Sequence, residues 1–384
     1  MERARVRSRG KVRRRRRIAL AGLVGLGLGA FTLGAALGDG KAPDPKPLPP
    51  PAAKLPLRQL AGQRVVTSLE STGVPAKLES AIRRGDVAGV VLFAGSFPSS
   101  AEGRRLITRL QAVPRPPLLL RDPLLIMVDQ EGGLVKRVDG PPNASAQEMG
   151  ERGASYSREQ GRLTAASLGG LGVNVDLAPV LDVARPGGTI AETERGFGAT
   201  AARVAATAVP FAEALQAGGV AATAKHFPGL GAASLNTDDA VQRIRLTKAK
   251  LRAVDEAPYR AFVDAGGDLV MLATAIYPAL SPSPAAFSRP IATGELRNRL
   301  GFEGVTVTDA LETVAVRAFG GPAKAGVAAA RAGSDLLLYT HLGAAEDARR
   351  ALVAKLRAGA LDRGEFEAAV QRVLDLREKI ARPR

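Results

Sequence analysis

Short apolar runs alternate with longer amphipathic stretches from about residue 57 to the C-terminus. Apolar runs of this kind are typical of parallel strands that helices cover on both faces. One run near 62–66 is weak, and the seven clear runs lie at 87–93, 124–129, 173–180, 221–226, 268–274, 304–309 and 334–339. The stretches between them predict helices, for example at 100–111, 158–168, 201–217 and 248–265.

Eight strands that alternate with helices predict an α/β fold, a (β/α)8 TIM barrel, for residues 57–384. Active sites of this fold lie at the C-terminal ends of the strands, so we expect a polar pocket there. Asp182 lies just past one run, and five other runs end in a polar side chain: Asp129, His226, Thr274, Asp309 and Tyr339. A doubly wound open sheet is the alternative, but the glycine-rich phosphate loop that it would require is missing.

The first 56 residues have a different character. Residues 1–17 contain ten Arg or Lys and one Glu, and residues 18–37 are twenty uncharged, mostly apolar residues. A run of that length can cross a bilayer as a helix, and basic flanks stay on the cytoplasmic side. We therefore predict a basic cytoplasmic tail at 1–17, a transmembrane signal-anchor or signal peptide at 18–37, and a proline-rich linker at 38–56.

The length of the apolar run also predicts where the barrel acts. Residues 18–37 are long for a cleaved signal, and no convincing cleavage site follows them. An uncleaved anchor makes the membrane a partner and leaves the barrel on the extracytoplasmic side of the cell membrane. Cleavage would instead release a secreted protein.

Composition and charge narrow the classes of site. Cysteine is absent, which excludes disulfides and thiol nucleophiles, and two histidines, His226 and His341, cannot build a multi-histidine zinc site. We expect no metal and no organic cofactor.

The net charge is +17, but ten basic residues and one Glu place +9 of it in the short tail at 1–17. Since no basic stripe is interleaved with aromatic residues, we expect no nucleic-acid partner; DNA binding through the tail is the alternative.

Three strand ends carry residues suited to chemistry on a sugar. Asp129 and Glu131 precede a glycine pair, and Lys225 adjoins His226, although lysine is rarely buried without a partner. Asp309 ends a buried strand, where a carboxylate is costly unless it is paired or used. Such a carboxylate suits nucleophilic attack on an anomeric carbon. Taken singly, a capped strand end or a buried structural histidine would explain the first two sites.

Taken together, these segments resemble glycoside hydrolase family 3 in order and spacing. The matching segments are IMVDQEGGLVKRV, VDLAPVLDV, ERGFG, KHFPGLG and GFEGVTVTDALE. The resemblance covers essentially residue 57 to the C-terminus and is greatest to single-domain bacterial β-N-acetylhexosaminidases, which trim GlcNAc from wall-derived sugars. It implies a single-domain barrel, an exo-acting retaining glycosidase, and a small saccharide substrate such as one derived from peptidoglycan.

The resemblance also implies roles for individual residues. Asp309 corresponds to the catalytic nucleophile, which forms a glycosyl-enzyme intermediate. The residues that correspond to the family's sugar-binding side chains are Asp129, Arg137, Arg195, Lys225 and His226. Carboxylates and cations of this kind make charge-assisted hydrogen bonds that orient sugar hydroxyls.

The loop after KHFPG departs from the family pattern. In the hexosaminidases it reads approximately GHG…DSH, and its Asp–His pair is the general acid/base. Here Leu230 replaces the first histidine, Asn236 replaces the Asp of the pair, and Asp238 replaces its His. Thr274 replaces a further family histidine at a strand end.

Two interpretations of this altered loop remain open. In the first, Asp238 or Asp239 takes over proton transfer in an active enzyme, since an enclosed pocket can raise the pKa of a carboxylic acid. In the second, the protein is a catalytically weak or inactive family member that binds cell-wall saccharide as a binding or scaffold protein. A solvated loop or a helix cap also explains either aspartate alone.

Overall fold

Eight parallel strands close into a barrel in the computed structural model, which describes residues 50–382. The order around the barrel is β10-β1-β2-β3-β6-β7-β8-β9, with closure where Val307 pairs with Leu336, and β4 and β5 form a separate antiparallel hairpin. In chain order the strands are β1 (Val65–Leu69), β2 (Gly89–Leu92), β3 (Leu125–Val128), β4 (Gln130–Gly132), β5 (Val135–Lys136), β6 (Val175–Asp176), β7 (Ala221–Phe227), β8 (Leu269–Leu272), β9 (Val305–Thr308) and β10 (Leu337–Leu338). The predicted TIM-barrel fold is confirmed.

Helices follow the strands and cover the barrel. The α-helices are α1 (Leu57–Gly62), α2 (Ala76–Arg84), α3 (Ser100–Ala112), α4 (Ala146–Arg152), α5 (Ala154–Leu171), α6 (Thr189–Glu192), α7 (Ala201–Ala217), α8 (Lys248–Lys250), α9 (Ala257–Asp264), α10 (Val314–Arg317), α11 (Pro322–Ala332), α12 (Leu342–Arg357) and α13 (Arg363–Ala381). Two π-helical segments lie at Leu251–Asp255 and Pro290–Arg299. The helix α7 has the predicted bounds because Thr200 caps its first turn and Gly218 follows its last residue.

Successive strand residues pack into two apolar layers, which explains why the runs lack polar alternation. Val66, Val91 and Met127 belong to a buried cluster inside the barrel, whereas Val65 and Val90 pack outward among the helices. Burial of one such side chain contributes roughly 1.5–3 kcal/mol. The layers hold the strand ends, and hence the pocket, in fixed positions.

Two predicted elements differ from the structure. The first strand runs from Val65 to Leu69, whereas the apolar pattern placed it near residues 62–66. Its second half contains Thr67 and Ser68, which are polar and therefore fall outside an apolar run. The Ser68 hydroxyl donates to the Thr340 carbonyl at 2.7 Å, and this partner is invisible in the local sequence. The predicted helix at 248–265 is interrupted before α9, whose start contains Pro258, a residue that has no N–H to continue an α-helical ladder.

The predicted tail at 1–17, the membrane segment at 18–37 and the linker up to residue 49 lie outside the described residues. Only part of the remaining predicted linker, residues 51–54, departs from an extended backbone. Pro51–Lys54 forms a 3-10 turn, Ala52 is fully buried, and its N–H donates to Gln371 of α13 at 3.2 Å. Between residues 50 and 382, no helix combines the length and the apolar character needed to cross a bilayer.

Candidate active site

A cavity of about 630 Å³ opens at the C-terminal ends of the barrel strands. It is lined by Leu177 after β6, Met271 of β8 and Leu338 of β10, as well as by polar side chains. Seven of the predicted site residues line it together: Asp129, Arg137, Arg195, Lys225, His226, Asp238 and Asp309. Asp239 is exposed and is not among the described residues that line the cavity.

Lys225 joins two carboxylates at the floor of the cavity. Its side chain is only 2% exposed, and Nζ lies 2.7 Å from Asp129 Oδ1 and 2.7 Å from Glu131 Oε1. Burial alone would lower the pKa of Lys225, but the charges of Asp129 and Glu131 outweigh it and raise the pKa. Lys225 is therefore a permanent cation and hydrogen-bond donor at neutral pH.

Glu131 is held by a second cation, Arg195. The guanidinium donates Nε and Nη2 to the two carboxylate oxygens, each at 2.8 Å. Burial would raise the pKa of Glu131, but Lys225 and Arg195 together lower it far below its ordinary value. The same partnership raises the pKa of Arg195. Glu131 therefore stays ionised and fixes both cations rather than exchanging protons.

Asp129 faces the cavity between two cations. Besides its contact with Lys225, its Oδ2 lies 3.9 Å from Arg137 Nη2, and its side chain is 18% exposed. The Arg137 guanidinium also lies over the Phe93 ring, 5.8 Å from its centroid. A carboxylate oriented in this way can accept hydrogen bonds from two neighbouring sugar hydroxyls while the cations donate to others.

His226 is oriented from behind by a buried carboxylate. Its ring Nδ1 lies 2.7 Å from Asp182 Oδ2, and Asp182 is fully buried after β6. His226 lines the cavity together with Lys225.

Asp309 follows β9 and is half-buried in the cavity wall. Its Oδ1 accepts the Ala310 N–H at 2.8 Å, and the Thr237 hydroxyl donates to Oδ2 at 3.5 Å. Both contacts orient the carboxylate without neutralising its charge. Such a group can act as a nucleophile or as an anion that stabilises positive charge on a sugar ring.

The loop after β7 packs its first turn against the barrel, whereas Leu235 farther along is 54% exposed. Leu230 is 2% exposed, and Gly231 lies so close to the Val183 carbonyl that any Cβ would be 1.9 Å from its oxygen. Farther along, the Asp238 carbonyl accepts the Val314 N–H at 3.3 Å. The loop therefore brings Asp238 to the segment that follows Asp309.

Asp238 lines the cavity, whereas the other candidate, Asp239, is not among the described residues that line it. Although Asp238 remains solvent-accessible, partial desolvation and the nearby Asp309 carboxylate raise its pKa. Its backbone N–H donates to Asn236 Oδ1 at 3.2 Å. Thr274 is fully buried, and its hydroxyl has no partner within the described part of the chain.

The sequence assigned no specific role to three buried carboxylates: Glu131, which lines the cavity, and Asp176 and Asp182. Asp176 accepts the Gln130 N–H at 3.0 Å, and burial raises its pKa well above the ordinary value. Each lies at or just past a strand end. An acidic residue at such a position, beside a predicted cation, is the sequence signal that could have identified these three carboxylates.

Comparison with known proteins identifies the family. Residues 58–376 match the glycosyl hydrolase family 3 N-terminal domain. The chain is 36% identical over 340 residues to an uncharacterized secreted glycosyl hydrolase from Arthroderma benhamiae, covering 86% of this chain and 96% of that protein. It is also 36% identical over 281 residues to a beta-hexosaminidase from Xylella fastidiosa, covering 70% of this chain and 81% of the relative.

Solved structures have the same barrel. A family 3 β-N-acetylglucosaminidase from Paenibacillus sp. superposes with a TM-score of 0.81 at 32% identity, over 85% of this chain and 63% of that chain. The chain thus spans less than two thirds of that enzyme's length. A β-N-acetylhexosaminidase from Beutenbergia cavernae superposes with a TM-score of 0.79 at 32% identity, over 85% and 99% of the two chains. The chain belongs to glycosyl hydrolase family 3.

Proposed function

We propose that the protein is a retaining exo-glycosidase that removes a terminal β-linked N-acetylhexosamine from a small saccharide, such as one derived from peptidoglycan. The observation that carries the proposal is a single cavity in which Asp309 and Asp238 meet the Lys225 ion network. The hexosaminidases among the relatives and solved structures support the choice of sugar.

In the first step, Asp309 attacks the anomeric carbon while the bond to the leaving oxygen breaks. Asp238 gives its proton to that oxygen, and a glycosyl ester on Asp309 forms. Asp129, Arg137, Arg195, Lys225 and His226 hold the sugar hydroxyls during this step. In the second step, Asp238 removes a proton from water, the water oxygen attacks the anomeric carbon, and the ester bond breaks. Two inversions return the original configuration.

Asp238 is the better candidate for the general acid/base. A raised pKa favours the protonated form that a general acid needs. Partial desolvation and the Asp309 carboxylate raise the pKa of Asp238, which also lines the cavity. Asp239 lies beyond the lining residues of the described cavity. The loop thus carries a carboxylate where the family's hexosaminidases carry a histidine.

The decisive assay compares an aryl β-N-acetylglucosaminide with an aryl β-glucoside, using the full chain and its Asp309→Ala variant. We expect hydrolysis of the former above background and its loss in the variant. If both substrates stay at background in the parent, and no adduct forms on Asp309 with a fluorinated sugar, the enzymatic proposal is rejected. Saccharide binding without turnover, unchanged by Asp309→Ala, would favour the alternative of a sugar-binding protein.

We also propose that the barrel acts outside the cytoplasm. The support is the charge pattern of residues 1–37 and the description of the Arthroderma relative as secreted. Fractionation of expressing cells distinguishes the two forms. An anchored protein stays with the membrane after carbonate extraction, whereas a chain recovered from the medium without residues 18–37 supports secretion. Recovery of the intact chain in the cytosol would contradict both.

A further inference from the structure

The two carboxylate oxygens of Asp182 have different hydrogen-bond partners. Oδ2 contacts the His226 ring at Nδ1, 2.7 Å away. Oδ1 accepts two backbone N–H groups, that of Leu230 at 2.6 Å and that of His226 at 3.2 Å. Because Asp182 is fully buried, these contacts replace water rather than compete with it.

The contacts determine which nitrogen of His226 carries the proton. An ionised carboxylate only accepts hydrogen bonds, so the ring nitrogen that faces it must be protonated. Nδ1–H therefore points at Asp182, which in a neutral imidazole leaves Nε2 as the hydrogen-bond acceptor, and His226 is among the residues that line the cavity.

We propose that Asp182 is a positioning residue that makes His226 Nε2 an acceptor for a substrate hydroxyl and anchors the start of the loop that carries Asp238. The first half rests on the geometry of the Asp182–His226 pair. The involvement of substrate rests on the proposed function.

Asp182 anchors the start of the loop through the Leu230 amide. Leu230 begins the altered loop, and its N–H bond to Asp182 is the shortest of the three contacts. The adjacent Gly231 packs against Val183, one residue beyond Asp182 in the chain. One carboxylate thus links a sugar-binding side chain to the loop of the proposed acid/base.

The substitution Asp182→Asn tests the tautomer without changing size. The two backbone donors keep the amide oxygen on their side, so the amide nitrogen must face His226 and donate to Nδ1. The proton then moves to Nε2, and the cavity edge of the ring becomes a donor instead of an acceptor.

Nitrogen-15 NMR of the imidazole groups measures this directly, because the chain has two histidines and His341→Gln assigns the spectrum. We expect protonated Nδ1 in the full-length parent and protonated Nε2 in Asp182→Asn. Asp176→Asn is the matched control, since that buried carboxylate accepts a backbone N–H after the neighbouring strand β3, and it should leave the tautomer unchanged. Identical tautomers in the parent and in Asp182→Asn would overturn the proposal.

Kinetics then separates positioning from stability. We expect Asp182→Asn to lower kcat/KM by about tenfold or more, and to add little loss in a His226→Ala background, since residues that act as a unit are not additive. Because the Asn oxygen can still accept the Leu230 N–H, additive losses would mean that Asp182 does not act through His226. If the parent hydrolyses no substrate, the proposed function fails, while the NMR measurement still decides the tautomer.

Discussion

The guanidinium of Arg195 forms a two-point ion pair with the carboxylate of Glu131, with both N–O distances at 2.8 Å. The Glu131 side chain is nearly buried, and Lys225 shares it. Removing one member of a buried pair leaves an unpaired charge, which is far more costly than losing an exposed pair. Glu131 is therefore the structural centre of the proposed sugar-binding network.

We predict that Glu131→Gln lowers the free energy of unfolding by about 3 kcal/mol at neutral pH, as expected for a broken buried pair. Urea unfolding of the two proteins measures the difference. The exposed pair of Arg162 with Glu159, at 2.6 Å, provides the control. Glu159→Gln should leave the free energy of unfolding nearly unchanged, because water screens an exposed ion pair. Equal effects of the two substitutions would contradict the account.

The effect of Glu131→Gln should depend on pH. Folding lowers the pKa of Glu131 from its ordinary value of 4.5, so its contribution is complete above that value. The contribution is lost as the pH falls through the lower pKa of the folded state. The stability difference between parent and variant should therefore be constant near neutral pH and shrink in strong acid. A difference that grows on acidification would give the opposite sign.

Asp238→Asn should remove proton transfer from the catalytic cycle. With a poor leaving group, we expect kcat/KM to fall roughly 10²- to 10⁴-fold, and with a good leaving group the loss should be smaller. Azide, which needs no deprotonation, should restore turnover of the activated substrate. Asp239→Asn is the matched control, one residue farther along the same loop, and a small change is expected. A larger loss in Asp239→Asn would reverse the assignment.

The pH profile offers a separate check on Asp238. The acid must be protonated in the free enzyme, so kcat/KM should fall as the pH rises through its raised pKa. This alkaline limb should vanish in Asp238→Asn measured with an activated substrate. Persistence of the limb would assign it to another group.

Arg317 is among the residues that line the cavity with Asp309, and we propose that it faces the leaving group. Among residues 50–382 it has no carboxylate ion-pair partner, and its Nε donates to the Glu312 carbonyl at 3.4 Å. We predict that the parent prefers a carboxyphenyl glycoside over its neutral carbamoylphenyl analogue, and that Arg317→Gln removes the preference. An exposed pair is worth about 0.2–1 kcal/mol, so the change should be at most about fivefold. An unaltered ratio of the two kcat/KM values would exclude this role.

Much of the barrel could be predicted because its strands are apolar on both faces, as at Val65 and Val66. The second half of β1 could not, since Thr67 and Ser68 are polar, and the Ser68 hydroxyl gains its partner, the Thr340 carbonyl, only in the folded chain. The break before Pro258 had a local signal, the missing N–H, which the amphipathic pattern of 248–265 concealed.

The candidate site was predictable where a polar side chain ends an apolar run, as at Asp129 and Asp309. Arg195 lies in a loop and was found only through the family resemblance. Asp182 and Glu131 act through partners that are distant in sequence, 44 residues away at His226 and 64 residues away at Arg195. A single sequence shows that these acids are present, but it does not show which distant residues they contact in the folded chain.

The central claim is that Asp309 forms a covalent bond to the sugar. Incubation of the full chain with a fluorinated N-acetylglucosaminyl fluoride, followed by proteolysis and mass spectrometry, tests it most directly. The account predicts one sugar adduct on the peptide that contains Asp309, and none in Asp309→Ala. Turnover of the aryl glycoside with no adduct, or an adduct on another residue, would contradict it.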